Sequence, residues 1–106
     1  MPKYLCQGSY TNEGLKGLLK DGGSKRVAMV QQLCKEMGGK LEAYYFAFGG
    51  NDFYIILDLP NNVDMAAVAM VANASGTVKS DITVLLTPDE VDQAAKKKVN
   101  FRPAGA

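Results

Sequence analysis

The chain has 106 residues, 47% hydrophobic and 22% charged, with a formal net charge of +1. That size and balance describe one globular domain over residues 1–106, without the clustered cationic surface that a nucleic-acid partner requires. Histidine is absent altogether, which excludes Ser-His-Asp and Cys-His catalysis and histidine-ligated haem and leaves proton transfer to Asp, Glu, Tyr, Lys or Cys.

The opening segment MPKYLCQGSY lacks the apolar stretch of a signal peptide, and no apolar run approaches about 18 residues, so no membrane partner is expected and the address expected is cytoplasmic. Residues 3–10, KYLCQGSY, alternate as a strand does. Thr11 can cap the helix that follows, with Glu13 favourable in its first turn and Leu15, Leu18 and Leu19 on one face. Gly22-Gly23 interrupts that helix and Ser24 can cap a second segment, where Val27, Val30, Cys34 and Met37 form an apolar stripe up to the stop at Gly38-Gly39.

Residues 40–48 and 52–59 read as two strands, and Gly49-Gly50-Asn51 between them are residues that tolerate positive φ in a short hairpin. After Pro60, Asn61 or Asn62 can cap a helix whose face is Val63, Ala66, Ala67, Met70, Val71 and Ala74, stopped by Ser75-Gly76. Residues 78–86 form a fourth strand. Thr87-Pro88-Asp89-Glu90 carries a cap, a proline at the first helical position and Glu at the third, which is a capping box opening a short helix to about Lys98. The Lys96-Lys97-Lys98 run is its solvated last turn.

The order is βαββαβ with a C-terminal helix added. This is an α+β, ferredoxin-like pattern: a four-stranded antiparallel sheet with both main helices on one face. The other face should then be polar, yet the strands carry apolar residues at both parities. Tyr44, Phe46 and Phe48 alternate with Leu41, Ala43, Tyr45 and Ala47, and Phe53, Ile55, Leu57 and Leu59 alternate with Tyr54 and Ile56. A second copy of the chain, sheet against sheet, is the expected cover, the C-terminal helix being the alternative.

The segments SYTNEGLKGL, SKR, GGKLEAYYFAFGGND, LPNN and LLTPDEV together resemble the GYD-domain family, and the resemblance runs over nearly the whole chain. It implies a dimeric α/β barrel. Relatives in that wider superfamily include cofactor-independent monooxygenases, isomerases, haem-handling proteins and small-ligand binders, and fold likeness does not choose among them. The family signature Gly-x-Tyr-Asp stands here as Gly49-Gly50-Asn51-Asp52, with Asn51 at the tyrosine position and Tyr54 or Tyr45 available to substitute.

Four residues are candidates for a ligand site. Arg26 follows Gly22-Gly23-Ser24-Lys25 at a helix start, where free N–H groups and a guanidinium fork suit an anion; a surface ion pair is the plainer role. GLLKDGGSKR is not a phosphate-binding loop, because it lacks the GxxxxGK[ST] spacing. Tyr45 stands between the small residues Ala43 and Ala47, and Tyr10 is a further polar-tipped ring. Asp52 either holds the turn through backbone N–H groups or serves a ligand at the sheet rim. Cys6 and Cys34 lack CxxC spacing and are expected as reduced thiols, and neither a metal site nor a cofactor is expected. The leading expectation is a homodimer binding a small anionic or aromatic molecule between sheet and helices. The alternatives are a cofactor-independent monooxygenase or isomerase using Tyr45 and Asp52, and a protein-interaction module.

Overall fold

Local chemistry sets most of the boundaries. In the computed structural model, which describes residues 1–106, the elements run β1 (Lys3–Tyr10), α1 (Asn12–Asp21), α2 (Gly23–Glu36), β2 (Lys40–Phe46), β3 (Phe53–Asp58), α3 (Asn62–Ala74), β4 (Val78–Leu85) and α4 (Pro88–Ala95). Thr11 caps α1 by accepting from the Gly14 N–H, and its own hydroxyl donates to the Gly76 carbonyl at 2.6 Å, tying the helix start to the β4 approach. Asn61, rather than Asn62, caps α3. Thr87 and Glu90 form both bonds of the capping box that opens α4.

The strands make one antiparallel sheet in the order β2-β3-β1-β4, with α2 over β2 and α3 over β4. This is the ferredoxin-like α+β fold. Its core lies between sheet and helices: Tyr4, Phe53, Ile55, Leu57, Leu59 and Val78 come from the sheet side, Cys34 from α2 and Met65 from α3. The Tyr4 hydroxyl is satisfied there by Asn62 Oδ1 at 2.6 Å. No helix is long and apolar enough to cross a membrane.

Several sequence expectations shift. The break between α1 and α2 is Gly22, at φ 83°, and Gly22 rather than Ser24 stands at the α2 N-cap, with no side-chain cap bond. The β2–β3 connection is not a tight positive-φ hairpin: neither Gly49 nor Gly50 has positive φ, and residues 47–52 form an open loop closed by the Ala47 N–H donating to the Asp52 carbonyl at 2.7 Å. α4 ends at Ala95, short of Lys98.

A β-bulge between Leu41 and Ala43 changes the faces of β2. Leu41 pairs with Leu57, and Tyr44 with Ile55, so both stand on the helix side, whereas strict alternation would group Leu41 with Ala43 and Tyr45. The open face of the sheet therefore carries Leu5, Ala43, Tyr45, Tyr54, Ile56 and Leu85. Beside them Lys3 Nζ bridges Asp58 and Glu42, each at 2.9 Å. Nothing in α4 or the tail covers this face. α4 buries no residue, and residues 88–106 are exposed throughout. The radius of gyration is 16.8 Å, against about 13 Å for a compact chain of this length.

Candidate functional site

The bulge and the helix break together create the site. Strand alternation beyond Glu42 turns Tyr44 toward the helices, and the fresh start of α2 at Gly23 brings Arg26 over the same region. There they line a cavity of about 90 Å³ between sheet and helices, with Cys6 and Tyr10 from β1, Ser80 from β4 and an otherwise apolar wall.

Inside it the Tyr10 and Tyr44 hydroxyls are hydrogen-bonded at 3.1 Å. Their rings are held by neighbours, Tyr10 against Phe53 at 5.2 Å between centroids and Tyr44 against Phe46 at 4.8 Å. Burial, with the bond from Tyr10 second, pushes the Tyr44 hydroxyl well above its ordinary pKa, so it is a neutral donor at physiological pH. Burial likewise raises the Cys6 thiol, against smaller opposing effects of Ser80 and Arg26.

Arg26 is the exception to this satisfied arrangement. Its Nε is buried and has no hydrogen-bond partner. The ion pairs of the protein all use lysines, at Lys3, Lys16, Lys25 and Lys40, so no carboxylate neutralises the guanidinium. Arg26 also lines two neighbouring spaces. One is a cleft of about 190 Å³ under α1, beside Glu13, Asp21 and Thr77. The other is a groove of about 500 Å³ between α2 and α3. A half-buried guanidinium with an unpartnered Nε, beside two phenolic hydroxyls, is a set of donors chemically matched to an oxyanion.

Of the residues singled out from sequence, Arg26 and Tyr10 come together in this cavity. Tyr45 does not join them: it pairs with Tyr54 on the open face and is 71% exposed. Asp52 lies at the rim of a separate groove against α1, with Phe46 and Phe48. Its Oδ2 accepts from the Tyr10 N–H at 2.9 Å while its own N–H donates to the Gly8 carbonyl at 2.7 Å. Asp52 thus fastens the β2–β3 loop to the end of β1 through its carboxylate and N–H, while its carbonyl closes the loop on Ala47. None of the spaces described brings Tyr45 and Asp52 together. Tyr44, Cys6 and Ser80 were missed as site residues. Shared parity with core residues was the available signal for two of them: Cys6 with Tyr4, and Ser80 with Val78 and Ile82.

A profile of the GYD domain matches residues 4–95. The chain belongs to the GYD-domain family. No curated protein and no solved structure matches it significantly. In this GYD domain the matched span begins at buried Tyr4 and ends with α4, so it contains the whole Arg26 cluster. Asn51 donates its side-chain amide to the Tyr54 hydroxyl at 3.4 Å. A phenol therefore stands at that corner, supplied from β3.

Proposed function

We propose that this GYD-domain protein is a cytoplasmic homodimer that binds a small anionic molecule between sheet and helices. The observation that carries this reading is Arg26: a buried guanidinium nitrogen without a partner, in a cavity whose other polar groups are satisfied or neutral. Burying a guanidinium N–H without a partner is costly, and an oxyanion bound at Arg26 Nε removes that cost while accepting from the Tyr10–Tyr44 pair. The dimer rests on the open face of the sheet. Leu5, Ile56 and Leu85 form an apolar centre there that neither α4 nor the tail covers, and a second copy of the same face covers it by symmetry.

Titration with benzoate tests the ligand half, followed by the chemical shifts of the Arg26 side chain and the tyrosine rings. Saturable shifts at Arg26, Tyr10 and Tyr44 are expected, with affinity lost at least tenfold in Arg26→Gln, since a hydrogen bond to a charged group is worth about 1.5–3 kcal/mol. Equal affinity in both proteins overturns the assignment.

A further inference from the structure

We infer that the ligand is an amphipathic monocarboxylate whose carboxylate sits on Arg26 and whose hydrocarbon tail lies in the groove between α2 and α3. The inference rests on the reading of Arg26 as the anion contact and adds where the remainder of the molecule goes. Size decides first. The inner cavity is about 90 Å³, whereas an engineered cavity that takes up benzene has about 150 Å³, so a head group fits beside Tyr10 and Tyr44 but the body of a ligand does not. Two adjoining spaces have Arg26 in their walls. The cleft of about 190 Å³ under α1 places the carboxylates of Glu13 and Asp21 beside it, whereas the interhelical groove of about 500 Å³ is mostly apolar and within the range of ordinary ligand pockets, so the groove is the one suited to the body of an anion.

The groove has the chemistry of a tail site. Leu33 from α2 and Met37 at its C-cap line one side, and Ala67 and Val71 from α3 the other. Val71 is 74% exposed and Leu33 38%, so apolar surface faces water that a tail would cover. The charges sit at opposite ends. Arg26 marks one end; Glu36, the only carboxylate in the lining, lies ten residues further along α2, about 15 Å at helical rise. Glu36 is already engaged by Gln32 Nε2 at 3.1 Å. A molecule with one carboxylate and an apolar far end matches this polarity, and one with carboxylates at both ends meets Glu36. A phosphate dianion is matched less well: the neighbouring cation, Lys25, lies 3.9 Å from Asp21, which leaves one free fork, suited to a single planar carboxylate.

Calorimetry on the full chain with acetate, hexanoate, decanoate, decanedioate and benzoate tests this. Affinity is expected to rise with chain length, up to about fourfold per methylene (~0.8 kcal/mol) where the methylene is fully covered. Decanedioate should bind at least tenfold more weakly than decanoate. Val71→Asp, on an exposed position of α3, should remove the length dependence while benzoate still binds, and Arg26→Gln should weaken every carboxylate. Length-independent affinity with benzoate binding intact, or decanoate binding unchanged in Val71→Asp, overturns the tail assignment and leaves the anion site standing. Binding of no carboxylate at all overturns both. Decanoate binding equally to Arg26→Gln places the carboxylate elsewhere and overturns the inference.

Discussion

Asp52 and Arg26 are both charged residues near the sheet's helix side, yet they do opposite work. Asp52 is committed: its carboxylate accepts from the Tyr10 N–H and its backbone is bonded to Gly8. Asp52→Ala should therefore cost about 1–3 kcal/mol in a urea melt, the penalty for orphaning a partly buried donor, with benzoate affinity little changed. Arg26→Gln should show the reverse pattern, a small change in midpoint with lost binding. The titrating residues add a pH dependence. Burial raises Cys6 and Cys34 above the ordinary thiol value of 9.0 and raises Tyr44 as well, so the folded chain holds protons that the unfolded chain releases. With more protons bound in the native state, stability is fully present below about pH 9 and declines as pH rises beyond it. Melts in a buffer series across that point check the sign; a midpoint that rises with pH there would contradict it. That Arg26 and Tyr10 line the cavity was legible in part, because a helix start and a strand end are readable in sequence. Tyr44 was passed over for Tyr45, since small neighbours at 43 and 47 suggested room for a ring that in fact faces outward.

At the level of elements, the strongest local signals held because they are complete within a few residues. Thr87 and Glu90 satisfy each other's backbone N–H groups without help from the rest of the chain, and Gly38 takes the left-handed conformation at φ 83° that ends α2's last turn. Features set by neighbours were not readable. The bulge in β2 depends on how Leu41 and Ala43 meet β3, and the β2–β3 loop takes its shape from bonds to β1. Because α4 buries nothing, Thr87→Ala should unravel its first turn, visible as lost helical shifts over residues 88–91, while the midpoint of global unfolding stays put. Glycines in α1 offer a sharper contrast. A Cβ on Gly14 would come within 1.9 Å of the Thr77 carbonyl oxygen, whereas one on Gly17 meets nothing within 4 Å. Gly14→Ala should destabilise by at least the roughly 1–3 kcal/mol typical of overpacking. Gly17→Ala should stabilise by up to about 1 kcal/mol. Thermal melts of the pair separate contact from propensity, since both changes are the same substitution in one helix.

For the molecule as a whole, the proposed dimer follows from a shortage of interior. Only 11 of 106 residues are buried, and a small domain has little buried surface to set against its conformational entropy. Light scattering at micromolar concentration should give twice the chain mass of 11.4 kDa, and Ile56→Lys on the open face should return the monomer; a wild-type mass of one chain would rule the pairing out. The strand order carries a separate consequence for how the chain is made. β1 leaves the ribosome first, yet its two neighbours in the sheet are β3 and β4, with Lys3 opposite both Asp58 and Leu85. The earliest strand is the last to be enclosed, and a nascent chain that stops short of residue 78 presents β1 with one side unpaired. Until β4 arrives the central strand is itself an edge, and only the completed chain moves the exposed edges outward to β2 and β4.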